Sequence, residues 1–154
     1  MHVRDACEQD AEVACSVVRR SISDLCSIDH RGHRDTIDLW LSNKTTANMR
    51  RWIHKHHVLV AEEGSAILGV AAMTSSGEII LNYVSPDGRF RGVSKALVRG
   101  LEVRAKNLGI ELLTLKSTAT AIRFYRSAGY TDSGPPTQGF GITMGQLMHK
   151  RLLE

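Results

Sequence analysis

Arg89, Arg91 and Lys95 crowd around Gly88 and Gly92 in the run SPDGRFRGVSKALVRGLE, residues 85–102. Residues of these types at this spacing suit the binding of an anion. A helix N-terminus exposes about four unpaired N–H groups and a partial positive charge. A turn that points successive N–H groups inward makes a nest for phosphate. Gly92 has no Cβ, so a pyrophosphate can approach the backbone closely. Ser94 is small and adds a hydroxyl, while Arg89, Arg91 and Lys95 supply charge for charge-assisted hydrogen bonds. The competing reading is a solvated basic surface turn, and the flanking elements decide between the two.

Those elements are legible. EIILNYV before the turn reads as a strand, with Ile79, Leu81 and Tyr83 expected on one face and Ile80, Asn82 and Val84 on the other. After it, Val93, Ala96, Leu97, Leu101, Ala105 and Leu108 repeat at helical spacing, and Gly109 is the natural stop. IELLTLK is a further strand, ATAIRFYRSAGY a short helix, and the Gly/Pro-rich tail ends in a last strand. Upstream, residues 2–7 read as a short strand and EQDAEVACSVVRRSISDLC as a helix. SIDHRGHRD breaks that pattern, and TIDLWLSN and TANMRRWIHK follow as short helices, the second capped by Thr45 or Thr46. HVLVAEEGSAILGVAAM is a hairpin turning at Glu63-Gly64-Ser65. The order is α+β, with a βαβ crossover after residue 79.

The chain has 154 residues, 42% of them hydrophobic and 23% charged, which fits one globular domain over residues 1–154. The net charge of +4 suits an anionic ligand without arguing for nucleic acid. The basic residues are scattered among acids, and three Tyr and three Phe offer little for base stacking. The three cysteines form no CxxC pair, so a reducing compartment is expected. MHVRDACEQD lacks the apolar core of a signal peptide, and no apolar run approaches the roughly 20 residues of a membrane span. A cytoplasmic location without membrane attachment is the expectation.

Other phosphate and metal motifs fail on spacing. GRFRGVSK has three residues between its glycines rather than four, and no Gly-Lys-Ser/Thr follows. GxGxxG is absent. His54 and His56 in HKHH have no matching distant partner, and His30 with His33 is an equally weak pair, so no metal is expected.

YVSPDGRFRGVSKAL resembles the acetyl-CoA signature of the GNAT superfamily of N-acetyltransferases, matching at Val84, Pro86, Arg89, Arg91, Gly92, Ala96 and Leu97. TATAIRFYRSAGY is similar to a second family motif at Ala121, Tyr125, Gly129 and Tyr130. Ser94 stands where the family prefers Gly or Ala, and Thr118 where Asn is usual. The resemblance implies a three-layer fold whose central twisted, mostly antiparallel sheet splays between EIILNYV and the ELLTLKS strand, with helices on both sides. It implies that acetyl-CoA lies with its pantetheine arm against Asn82, Tyr83 and Val84. The pyrophosphate would sit on Arg91, Gly92, Val93, Ser94 and Lys95, with Arg89, Thr118 and Phe124 completing the cofactor side.

The reaction implied is direct attack of an amine on the thioester. Tyr125 would be the general acid for the thiolate, and a backbone N–H near Val84 the donor to the oxyanion. The base is not specified: Asn82 cannot serve, Glu78 reads as a turn residue, and water is an option. The acceptor, a small-molecule or peptide amine, is expected against the N-terminal helices and the SGPPTQGFG loop. Asp24, Asp29, Asp35, Asp38, His30 and Trp40 are available there. Asp29 and His30 also read as solvated loop residues, and Trp40 and Trp52 as core anchors. A non-catalytic acyl-CoA-binding module of the same fold is the second reading. Dimers are common in the family, which makes a homodimer one option and leaves the oligomeric state open.

Overall fold

The computed structural model describes residues 1–152. In chain order the elements are β1 (His2–Asp5), α1 (Ala11–Leu25), α2 (Ser27–His30), α3 (Arg34–Leu41), α4 (Thr46–Lys55), β2 (His57–Glu63), β3 (Ala66–Met73) and β4 (Glu78–Val84). Then follow α5 (Val93–Asn107), β5 (Leu112–Ser117), α6 (Ile122–Ser127), β6 (Thr131–Asp132), β7 (Thr137–Gln138) and β8 (Met144–Arg151). Short 3-10 turns at Glu8–Asp10 and Pro86–Gly88 lead into α1 and out of β4.

The strands form a sheet in the order β1-β2-β3-β4-β5-β8-β6, with β7 on β8. Every pairing is antiparallel except β4 with β5, which the α5 crossover makes parallel. The sheet separates two apolar cores. Ala14, Val18 and Ile22 of α1, Trp40 of α3 and Met49 of α4 pack on Val58, Val60, Val70, Ala72 and Leu81. On the other face Val93, Leu97, Leu101 and Ala105 of α5 and Tyr125 of α6 pack on Leu59, Ala61, Ala71, Ile79, Leu113 and Met148. This is the three-layer, splayed, mostly antiparallel arrangement expected.

Local signals explain most boundaries. Thr45 caps α4, its side chain accepting from Asn48 N, and Gly109 ends α5 at φ +77°. Helical spacing fails at Leu108, which is half exposed because α5 ends one residue earlier. SIDHRGHRD is not a plain break: it holds the one-turn helix α2, closed by Arg31 and Gly32 in left-handed conformation.

Strict alternation also fails in β4. Met73 pairs with Ile79 and Ala72 with Leu81, so Ile80 is skipped by the ladder. The bulge turns Ile80 and Leu81 toward the same core and puts Ile79 on the α5 side. Glycine sets how close α5 approaches the sheet. A Cβ on Gly69 of β3 would lie 2.6 Å from Val93 Cγ1 and 2.9 Å from Leu97 Cδ1.

Candidate active-site cleft

β4 and β5 pair only at Glu78–Thr114 and Ile79–Leu115. Past the bulge they part. The opening is a cavity of about 390 Å³ lined by Ile79–Val84 on one edge and Leu115–Thr118 on the other. It shares Val84, Phe90, Ser94 and Phe124 with a second cavity of about 480 Å³ at the start of α5. It shares Ile80, Tyr83, Lys116, Ser117 and Thr118 with a third, of about 450 Å³, under α3 and the β7–β8 loop. The three form one groove across the sheet.

At the α5 end, Gly92 is the N-cap residue at φ +74°, and no side chain caps the first turn. The first backbone bond closes from Ala96 N to Gly92 O, which leaves the N–H groups of Val93, Ser94 and Lys95 at the groove. A Cβ on Gly92 would meet nothing within 4 Å, so space lies open above this backbone. Ser94 lines the groove rather than pointing away from it. Arg91 is ion-paired with Glu63 of the β2–β3 hairpin. Arg89 lies over the Phe90 ring at 4.5 Å, and neither Arg89 nor Lys95 has an acidic partner among the described residues. Phe90 was not singled out from the sequence. It holds a left-handed φ of +63° and is 92% exposed at the groove's edge.

In the middle of the groove, Asn82 Nδ2 donates to Tyr125 Oη at 3.0 Å. The bond joins the β4 edge to α6 across the opening. It leaves the phenol hydrogen free, and Asn82 Oδ1 is buried without a partner. Burial pushes the Tyr125 phenol up to about 12, against a smaller lowering by Asn82. Phe124 packs edge-on to Tyr125 at 5.2 Å. Tyr83 faces the first core, where its hydroxyl accepts from Trp40 Nε1 at 3.2 Å and burial drives its pKa far upward.

The start of α6 is set from a distance. Asp29 accepts from Ala119 N at 2.7 Å, from Thr120 N at 3.2 Å and from the Thr120 hydroxyl. Thr118 Oγ1 accepts from Ala121 N at 3.2 Å, which closes the turn leading into α6. Asp29 is thus a buried anchor for the helix that carries Tyr125, not a solvated loop residue. His30 is buried as well. Its Nδ1 accepts from Gly32 N and its Nε2 lies 2.9 Å from Ile22 O, so the tautomer with hydrogen on Nε2 satisfies both. Asp29 lines the groove and His30 does not, and the polar atoms of both are taken.

The third cavity has an aromatic wall. Trp40 stacks on Phe140 with centroids 6.0 Å apart and planes 14° from parallel. Lys44, buried at 5% exposure, lies 5.0 Å from the Phe140 ring centroid. Phe140 falls in the SGPPTQGFG loop that the sequence assigns to the acceptor, but neither it nor Lys44 was named from the sequence. Asp24, Asp35 and Asp38 do not line this cavity, and Asp29 is the one carboxylate that does. Among the described residues no group of three or more His, Cys, Asp or Glu side chains is placed to hold a metal, and no helix is long and apolar enough to cross a membrane. The groove thus offers an open helix N-terminus for an anion, a phenol for proton donation, and an aromatic wall for a second molecule.

The family model for the acetyltransferase (GNAT) domain matches residues 31–152. A GCN5-related N-acetyltransferase from Rhodopseudomonas palustris is 23% identical, with a TM-score of 0.88 over 98% of this chain and 95% of that one. The PaiA N-acetyltransferase of Thermoplasma acidophilum, solved in complex with coenzyme A, is 19% identical, with a TM-score of 0.80 over 97% and 98%. The ribosomal-protein-alanine N-acetyltransferase of Brucella melitensis is 19% identical, with a TM-score of 0.76 over 99% and 100%. No curated protein is similar enough in sequence to match.

Proposed function

We propose that this chain, which belongs to the GNAT acetyltransferase family, transfers an acetyl group from acetyl-CoA to a primary amine, with both substrates bound in the groove at once. The observation that carries the reading is the Asn82–Tyr125 contact. It lies in the central cavity, which shares lining residues with the cavity at the α5 N-terminus and with the one beside Trp40 and Phe140. The reading takes residues 1–154 as one catalytic domain in the cytoplasm.

The residues present fit acetyl-CoA. The uncapped first turn of α5 and the open space above Gly92 suit the pyrophosphate, with Lys95 and Arg89 as nearby charges. The β4 edge from Ile80 to Val84 has no strand partner on the groove side, so backbone groups there are available to the amides of the pantetheine arm. The buried Asn82 Oδ1 suits an arriving N–H donor. The coenzyme A complex of the Thermoplasma protein supports the same choice.

In the step itself the amine nitrogen bonds to the acetyl carbon and the C–S bond breaks. Tyr125 Oη gives its proton to the departing sulfur, with Asn82 Nδ2 holding the phenol oxygen in place and steadying the phenolate. The burial that raises the phenol to about 12 also raises a thiol leaving in the same cleft, so donor and acceptor stay matched. Asp29, the one lining carboxylate, is engaged by α6, so the amine proton leaves through water. Holding both reactants in one groove removes much of the orientational barrier.

The test is calorimetric binding of acetyl-CoA, followed by release of CoA thiol across an amine panel. Binding with turnover supports the reading. Binding without turnover on any amine would favour a CoA-binding module, to which the lack of a free carboxylate in the groove also points. No binding by the folded protein would remove both.

A further inference from the structure

Lys44 is a buried cation with no acidic partner among the described residues. Its Nζ donates to Asn43 Oδ1 at 2.6 Å and to Trp40 O at 3.4 Å, both neutral oxygens. A neutral amide donor would make those two bonds without desolvating a charge, so they do not explain a lysine here. The nearby cations add to the imbalance. Arg19 donates to the carbonyls of Leu41 and Lys44 in the same turn, and Lys116 lines the same cavity with its Nζ on Gln138 O. The one carboxylate in the lining, Asp29, is bound to Ala119 N, Thr120 N and the Thr120 hydroxyl. The acceptor end of the groove is therefore net positive, beside the Trp40–Phe140 stack.

We propose that the acceptor is a small amine that also carries a carboxylate, with the carboxylate received by Lys44 and an apolar or aromatic body lying against Phe140, which Trp40 backs from the core. An α-amino acid with a large apolar side chain has this chemistry. The proposal rests on the acetyltransferase reading and specifies its acceptor. A carboxylate arriving beside Lys44 supplies the counter-charge the fold omits, and it turns a costly buried ammonium into a charge-assisted pair. The Lys44 ammonium, which burial lowers to about 8, is still mostly charged at neutral pH. Amines that are only cationic are disfavoured here by like charge.

The test compares L-phenylalanine, L-tryptophan, L-leucine and L-methionine with their carboxamides and with the decarboxylated amines. CoA thiol release and calorimetric binding are both read at pH 7. Binding is measured with and without CoA, so the acceptor question is answered even by a protein that ignores acetyl-CoA. The free acids are expected to exceed the amides about 10-fold or more in kcat/KM or in affinity, the scale of one charged hydrogen bond. That ratio should fall toward one in Lys44→Met and return in part in Lys44→Arg. Amides that match the acids, an acid preference unchanged in Lys44→Met, or no acid binding at all would each overturn the proposal. Turnover on simple amines alongside any of these leaves the acetyltransferase reading standing. Failure of acetyl-CoA itself to bind would sink that reading instead.

Discussion

Asn82 on β4 and Tyr125 on α6 touch across the stretch where β4 and β5 have parted beyond Ile79 and Leu115, with Asn82 Nδ2 3.0 Å from Tyr125 Oη. The bond uses a lone pair of the phenol oxygen and leaves its hydrogen to a third group. Tyr125→Phe removes that hydrogen together with the oxygen that accepts from Asn82 Nδ2. Turnover should drop by about 10²–10³ while acetyl-CoA affinity stays within about twofold. Because burial raises the phenol to about 12, Tyr125 stays protonated as pH rises through 10. The wild-type rate should show no alkaline loss from this group below that point. A pH–rate profile alongside calorimetry checks both statements.

Gly92 separates two effects usually confounded. Its added Cβ would meet nothing within 4 Å, yet its φ of +74° penalises any L side chain. Gly92→Ala should lower stability by about 1 kcal/mol and disturb acetyl-CoA binding modestly. Gly92→Glu puts a carboxylate where an anion is expected and should abolish binding. Equal affinity in wild type and Gly92→Glu would place the pyrophosphate elsewhere.

Asp29→Ala strips acceptors from Ala119, Thr120 and the Thr120 hydroxyl at once. A stability loss of roughly 2–3 kcal/mol is expected. The surviving folded protein should show a lower kcat, because the helix carrying Tyr125 loses its anchor. Denaturant titration and turnover at matched folded fraction measure the two.

Gly69→Ala tests the α5 seat. The new methyl would strike Val93 and Leu97, and Tyr83 O lies 3.1 Å away, so α5 must shift. A loss of about 1–3 kcal/mol is expected, with weaker acetyl-CoA binding, since Val93 opens the helix whose N-terminus faces the groove.

Lys44 titrates near 8 in the folded chain against an ordinary 10.5. Between those values the unfolded chain holds the extra proton, so wild-type stability should rise with pH across this window. Lys44→Met should be about 2–3 kcal/mol more stable at pH 7, an advantage that shrinks above pH 8 and disappears near 10.5. Thermal melts from pH 6.5 to 10.5 read this directly.

The glycine-and-arginine turn and the helix after it were legible because their signals are local: a left-handed glycine, a strand before, an amphipathic repeat after. Tyr125 became visible only through the family motif, since helix spacing alone would make it a core residue, which it also is. Asp29 was misplaced in solvent because its partners lie 90 residues away and nothing in SIDHRGHRD points to them. Lys44 and Phe140 come from separate loops, and only the folded chain brings them together. The bulge at Ile80 was hidden because Ile79, Ile80 and Leu81 are all apolar, so no polar residue beside it marks the slip.

The two-residue ladder between β4 and β5 has a mechanical consequence. The sheet is two leaves riveted near one end. Beyond Ile79 and Leu115 they are held by side-chain ties: Asn82 to Tyr125, Asp29 to the start of α6, and Glu102 of α5 to Tyr130 and Lys150. A molecule whose amides bond to the β4 edge therefore serves as scaffolding as well as reactant. Amide exchange along β4 should slow when it enters, and each turnover loosens the leaves again on release.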